Sequence, residues 1–265
     1  MTEKVSSLLD AAQEVARIAG AIALEHFRSG IAAEAKADGS PVTAADRDAE
    51  RAARTWIEQR FPQDGILGEE YGDTRPLARR RWVLDPIDGT RTFVRGVPFF
   101  GSLVAVLDGQ EVLAGAAYFP ALDELLCAAP GEGCWYNSSR SAVSGVSRVT
   151  DALVLCTDER FTGTPAVRPL WGQLADQAAM ARTWGDCYGY LLVATGRAEV
   201  MVDPIMNPWD AACFLPIIEE AGGVLTDWKG RRTVFGGSTI ATNKALAEVV
   251  RTMLAVDQPV GTQAS

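Results

Sequence analysis

The stretch Trp82-Val83-Leu84-Asp85-Pro86-Ile87-Asp88-Gly89-Thr90 constrains this chain more than any other. An apolar run suited to a buried strand ends on two aspartates three residues apart, with a proline between them. Pro86 fixes its own φ, removes a backbone donor and biases Asp85 toward an extended or turn conformation. The two carboxylates can then converge while the carbonyl of Ile87 points the same way. Carboxylates held together repel, so a positive charge between them is expected. Three oxygen donors from four residues suit a hard cation such as Mg²⁺. If a helix or turn opens at Gly89-Thr90, its free N–H groups face the same place and can cradle a phosphate. The chemistry implied is metal-assisted attack of water on a phosphate ester.

Around this stretch the hydrophobic pattern predicts a mixed α/β fold. Val5, Leu8, Ala12, Val15, Ala19 and Ile22 recur at helical spacing, which predicts a long helix over residues 5–27. Thr43 with Asp46 three residues on reads as a capping box, opening a second helix that runs to about Arg60. Ile66-Leu67 and Arg81 to Leu84 read as strands, each ending on acid, and residues 101–136 read as neighbouring antiparallel strands. The segment 137–150, rich in Ser, Asn and Gly, reads as a junction. It divides the chain into an α+β part over 1–145 and an α/β part over 146–265. In the second part 152–156, 198–203 and 224–227 read as strands, and 168–180, 189–196, 209–223 and 245–254 as helices. The tail from Asp257 onward is polar.

Composition enters as a set of exclusions. A net charge of −9 without any Lys/Arg-rich run argues against nucleic acid as a partner. No apolar stretch approaches the roughly 20 residues that a membrane span needs, and the first 20 residues lack the blocks of a signal peptide. Cys127, Cys134, Cys156, Cys187 and Cys213 are scattered without a C-x-x-C, as expected of reduced thiols in a cytoplasmic protein. The lone His26 lies far in sequence from the acids, so a Ser-His-Asp triad or a phosphohistidine has little to draw on.

Other acids also follow apolar runs or open helices: Glu69-Glu70 in ILGEEYG, Asp210 in NPWDAA, and Asp46. Strand ends are where α/β folds place their sites. Each acid has a plainer reading as well: Asp46 as the capping-box acid, Glu69-Glu70 as a solvated loop, Asp210 as a first-turn acid facing the helix dipole. Taken together, GEE, WVLDPIDGT, PWDAA and EEAGG, in this order from about residue 5 to 255, resemble the inositol monophosphatase superfamily of Mg²⁺-dependent phosphatases. The resemblance implies a layered αβαβα sandwich and a homodimer. It implies that Glu69, Asp85, the Ile87 carbonyl, Asp88 and Asp210 hold two or three Mg²⁺ ions. By the same resemblance Asp46 supports a further metal, Thr90 with Glu69 positions the attacking water, and Gly89 and Thr90 bind phosphate. Lys36 matches a lysine that the superfamily carries close to the site.

Within the superfamily, FVRGVP, GDCYGYLLVATG and VDPIMNPWD look most like bacterial histidinol-phosphate phosphatases, although Arg91-Thr92 replaces the more usual Lys-Asn or Thr-Asn. Asp203 lies where inositol-cleaving relatives carry a glutamate, and Asp186 lies near their small or hydroxyl residues. Extra carboxylate favours a cationic substrate such as histidinol phosphate, with Asp186 and Asp203 as its contacts. Asp186 also reads as the N-cap of a helix. The alternatives are inositol or sugar phosphates, then a nucleotide 3′-phosphate, or a non-catalytic regulator that binds a phosphate ligand.

Overall fold

The apolar stripe from Val5 winds α1 (Val5–His26), whose buried face includes Leu8, Ala12, Val15 and Ala19. These elements belong to a computed structural model that describes residues 5–30, 34–35 and 41–255; Lys36 and the tail from Asp257 lie outside the described residues. After α1 come β1 (Glu34–Ala35), β2 (Pro41–Val42) and α2 (Ala44–Arg60). Thr43 caps α2 with the expected reciprocal box: its hydroxyl accepts from Ala45 N–H, and Asp46 accepts from the Thr43 N–H at 2.8 Å. Then follow β3 (Gly65–Gly68), β4 (Gly72–Thr74), β5 (Arg80–Asp88) and α3 (Thr90–Val94). A meander continues through β6 (Gly101–Asp108), β7 (Glu111–Phe119), β8 (Glu124–Ala129), β9 (Gly133–Tyr136) and β10 (Ser139–Arg140). Beyond it lie β11 (Leu153–Cys156), α4 (Arg168–Gln177), β12 (Met180–Arg182), α5 (Asp186–Ala194) and β13 (Val200–Asp203). The last elements are α6 (Pro208–Ala211), α7 (Phe214–Glu220), β14 (Gly223–Thr226), β15 (Thr239–Asn243) and α8 (Ala247–Met253).

An eight-stranded sheet runs β10-β9-β8-β7-β6-β5-β3-β4, antiparallel except where β3 pairs with β5. A five-stranded sheet runs β12-β11-β13-β15-β14, parallel across β12, β11 and β13 and antiparallel beyond. α1 and α2 pack on the first sheet, α5, α6 and α7 lie between the sheets, and α4 and α8 cover the outer face of the second. The chain is thus the five-layer αβαβα sandwich that the resemblance implied.

Strand alternation decides which side of the first sheet can carry chemistry. Successive side chains point to opposite faces. Trp82, Leu84, Val104 and Val106 bury against α1 and α2, whereas Val83, Leu103 and Ala105 join the cluster around α5 and α7. Asp85, in step with Val83, therefore belongs to the face covered by the middle helices. That middle cluster contains residues from both halves of the chain, Val83 and Phe119 beside Leu191 and Phe214.

The segment 209–223, expected as one helix, is two, α6 and α7. Pro216, in the first turn of α7, has no N–H to give to the Ala212 carbonyl, and the ladder lapses over Ala212 and Cys213 although their backbone stays right-handed. α4 ends at Gln177 rather than Met180, because Met180 starts β12 and pairs with Leu153 of β11. β15 carries almost no apolar signal: all five of its residues are buried, yet only Ile240 and Ala241 are aliphatic. All five cysteines are buried and free. No described helix is long and apolar enough to cross a membrane.

The middle layer sits close to the first sheet because Gly115 of β7 has no side chain. A Cβ there would overlap the Cys213 carbonyl between α6 and α7, and a backbone atom cannot swing away. Gly115→Ala is expected to lower unfolding stability by about 1–3 kcal/mol, the usual cost of overpacking. Urea titration checks it, and an unchanged midpoint would show that α6 and α7 shift freely.

Candidate active site

Pro86 breaks the β5 ladder where the sequence placed the kink. Pairing with β6 is regular to Asp85–Leu103, becomes irregular, and resumes at Asp88–Gly101. The Pro86 carbonyl accepts the Ser102 hydroxyl at 2.6 Å, and Asp85 Oδ1 accepts the Ile87 N–H at 3.0 Å. This tight turn brings Asp85 and Asp88 to one side. Asp210 reaches them from α6, which packs against β5. One oxygen each from Asp85, Asp88 and Asp210 lie within 4.8 Å of one another.

The burial of these acids is opposed by a small set of donors. Asp88 Oδ2 accepts the Cys187 N–H at 2.5 Å from the first turn of α5, whose dipole favours negative charge there. Asp210 Oδ2 accepts the Asn207 N–H at 2.8 Å and the Asn207 amide at 3.2 Å in a second capping box. Asp46 Oδ2 accepts the Thr43 hydroxyl at 2.6 Å, while its other oxygen faces the Thr90 hydroxyl at 3.3 Å. Thr90 also lies 3.1 Å from the Ile87 carbonyl, so its one proton has two acceptors to choose between. Gly89, the left-handed N-cap of α3 at φ 84°, turns the chain so that Thr90 stands beside both.

These donors do not cancel the charge. Burial, then Glu69, Asp88 and Asp210, pushes the Asp85 carboxyl well above the usual carboxylate range. Asp88 is raised in the same way by burial, then by Asp186 and Asp210. Asp210 is pushed up to about 6 by burial, with Asn207 opposing and the charge of Glu69 adding to it. Glu69 follows β3, and its N–H is bound to the Leu84 carbonyl at 3.1 Å. Its negative charge also raises Asp46, after burial as the main cause.

Beside the acids lies a cavity of about 110 Å³ lined by Asp88, Asp186, Asp203, Asp210, Thr157 and Tyr190 among others. Asp203 ends β13 and accepts the Tyr190 hydroxyl at 2.8 Å. Burial raises its carboxyl to about 7 even though Thr157 and Tyr190 donate to it. Asp186 is not the N-cap that the sequence allowed. Gly185 holds that position, and Asp186 is the first helical residue, with a left-handed φ of 49°. Its N–H reaches Thr157 Oγ1 at 2.9 Å, and its carboxylate accepts the Thr92 hydroxyl at 3.2 Å. A larger cavity of about 730 Å³ lies on the α8 side of the second sheet and contains none of these acids.

The fold thus gathers Asp46, Glu69, Asp85, Ile87, Asp88, Gly89, Thr90 and Asp210, with Asp186 and Asp203 across a small cavity. Lys36 lies outside the described residues. His26 stands apart, 3.9 Å from Asp48 and partly exposed. Sequence reasoning missed Cys187, which acts through a backbone N–H that any residue type supplies. It also missed Thr157 and Tyr190, whose hydroxyls meet Asp186 and Asp203 only when the second half folds, and Thr92, whose hydroxyl meets Asp186 only after the two halves pack.

A model described as the inositol monophosphatase family matches residues 4–256. A histidinol-phosphatase of Chlorobaculum parvum is 42% identical over 240 residues, covering 90% of this chain and 93% of that protein. A histidinol-phosphatase of Mycobacterium tuberculosis is 35% identical over 254 residues, covering 94% and 95%. Among solved structures, an inositol monophosphatase from Zymomonas mobilis superposes with a TM-score of 0.86 at 31% identity, over 96% of this chain and 100% of its own. With its five layers, its DPIDGT turn and its converging acids, the chain belongs to the inositol monophosphatase family.

Proposed function

We propose that this protein is a Mg²⁺-dependent phosphomonoesterase and that its substrate is L-histidinol phosphate. The observation that carries the reaction is the convergence of Asp85, Asp88 and Asp210 at the turn leading into Thr90. Every donor in the cluster is an oxygen. Among the described residues no lysine or arginine is ion-paired with these three aspartates. Buried carboxylates without a counter-charge are costly, so the set fits a hard divalent cation.

On this reading Glu69, Asp85, the Ile87 carbonyl, Asp88 and Asp210 hold two or three ions, with Asp46 supporting one of them. When bound, the cations neutralise phosphoryl charge and acidify water. Gly89 and Thr90 offer backbone N–H groups to the phosphate, because the first N–H groups of a helix have no partner within it. The Thr90 hydroxyl, set between Asp46 and the Ile87 carbonyl, and the Glu69 carboxylate orient the attacking water. Glu69 takes one proton from the water as its oxygen bonds to phosphorus; the P–O ester bond breaks, and the proton passes on through solvent to the leaving oxygen, so that an alcohol departs beside inorganic phosphate and Glu69 is restored. Residues 1–145 supply the metal and phosphate motifs, and residues 146–265 supply Asp210 and the substrate side. The same reading takes the enzyme as a cytoplasmic homodimer.

The substrate rests on two supports: the names of the two histidinol-phosphatases and the acids on the cavity wall. Histidinol phosphate carries an ammonium and an imidazole, which Asp186 and Asp203 can meet. The second reading, inositol phosphate or a related sugar phosphate, is favoured by the Thr157 and Tyr190 hydroxyls in the same cavity.

Asp88→Asn is expected to abolish turnover while leaving the fold intact; wild-type turnover at saturating Mg²⁺ would refute the metal assignment. Stability should follow the raised pKa values. Asp210 near 6 and Asp203 near 7, against an ordinary 3.8, leave the folded protein holding more protons than the unfolded chain between about pH 4 and 7. The metal-free protein should therefore lose stability as pH rises through that window, and Mg²⁺ should flatten the loss. Melting curves at pH 5 and 7.5, with chelator or with Mg²⁺, test this.

Thr90→Ala should lower kcat by on the order of 10²-fold, the scale of one proton-handling or positioning group. A phosphorylated enzyme trapped by rapid quench would exclude direct attack by water. Phosphate release against a panel of histidinol, inositol, sugar and nucleotide phosphates tests the substrate. Asp186→Asn and Asp203→Asn should each cost roughly ten- to a hundredfold in kcat/KM for histidinol phosphate and far less for inositol phosphate. Equal losses on both substrates would leave a sugar-phosphate phosphatase.

A further inference from the structure

α2 presents two buried carboxylates one turn apart, Asp46 and Glu50. Asp46 faces Thr90, whereas Glu50 touches none of the converging aspartates and has no role in the reaction described above. Its oxygens are taken up by a loop. Oε2 accepts the Glu70 N–H at 2.7 Å, and Oε1 accepts the Tyr71 N–H at 3.2 Å. Oε1 also receives Arg54 Nε at 2.7 Å. Arg54 continues into the same loop, donating to Thr74 Oγ1 at 2.9 Å and to the Gly72 carbonyl at 2.5 Å. Gly68 lies so close to the Glu50 carboxylate that a Cβ there would overlap it.

We propose that Glu50 is a positioning residue for the metal site: it grips the Glu70 and Tyr71 amides from α2 and so fixes where Glu69 aims its carboxylate. Glu69 is the last residue before that grip, and its own N–H is tied to Leu84 of β5. Its backbone is therefore held from one side by the helix that carries Asp46 and from the other by the strand that carries Asp85. Arg54 neutralises Glu50, so Glu50 acts as a fixed acceptor and adds no net charge to the acid cluster. Partners behind a metal ligand commonly change metal affinity ten- to a hundredfold when altered. The inference rests on the reading of Glu69 and its neighbouring aspartates as metal ligands.

Glu50→Gln keeps the shape but replaces one acceptor with an NH₂ group, which opposes a backbone N–H or Arg54 donor to donor. The Mg²⁺ concentration giving half of the Mg²⁺-induced rise in Tm, measured without substrate, should increase about tenfold or more. Amide exchange at Glu70 and Tyr71 should quicken, and KM at saturating Mg²⁺ should stay at the wild-type value. A lower melting temperature with an unchanged Mg²⁺ midpoint makes Glu50 a structural acceptor only and overturns the proposal. Wild-type protein that Mg²⁺ does not stabilise overturns the metal reading itself, and the proposal with it. Should Glu50→Gln not accumulate as folded protein, Glu50→Asp keeps the charge, shortens the reach by one methylene, and is judged by the same midpoint.

Discussion

Mutual repulsion among carboxylates that the fold forces together is the constraint on which the rest of this structure turns. Asp85, Asp88 and Asp210 are brought within 4.8 Å of one another, and each is driven toward its protonated form by burial and by its neighbours. Nothing in such an arrangement favours folding. The free energy must come from the apolar layers on either side, and a metal ion held by the acids would offset their repulsion. Among the described residues, the donors to the cluster are backbone N–H groups, hydroxyls and an amide, which orient the oxygens without neutralising them. A guanidinium in the same place would have made the site stable and useless for a cation.

The layering follows from the need to hold such a cluster still. One side of the first sheet is closed by α1 and α2, and the other by the middle helices. Asp85 comes from the strand between those layers, Asp46 and Glu50 from a helix behind it, and Asp88 is received by the first turn of α5 in front. The acids are anchored in β5, α2 and α6, so those of one element cannot relax away from those of another without moving a sheet or a helix. The left-handed Asp186 is the visible strain in this arrangement. Its N–H and carboxylate both find hydroxyls, on Thr157 and Thr92, and those bonds hold the backbone where Cys187 can reach Asp88.

Much of this was legible in the residues themselves. The helical stripe of α1, the capping box at Thr43, the strand ending at Asp85 and the kink at Pro86 are local effects. Periodicity, cap chemistry and the proline ring act within a few residues, so a sequence states them directly. The acids could be picked out for the same reason, since two aspartates around a proline have little structural use. Local signals failed where the partner is remote. β15 is buried on all its residues but carries two threonines and an asparagine, and only its position between β13 and β14 makes it a strand. Pro216 was in plain view, yet the helical pattern around it hid the break it makes one turn earlier, at Ala212 and Cys213.

The sequence by itself determined which groups could do chemistry: the DPIDGT turn, the acid in GEE and the aspartate in PWDAA, each fixed to its local backbone. Only the tertiary structure decided which acids share one site and which neighbours govern them. Residues 85 and 210 approach through sheet-to-helix packing, and Cys187, Thr157 and Glu50 act through a backbone N–H, a hydroxyl and a carboxylate whose partners are distant in the chain. Hydrogen bonds are short-ranged and directional, so they exist only after the apolar layers have set the backbones in place. A one-dimensional pattern holds the identity of a donor or acceptor, while its partner is a property of three dimensions.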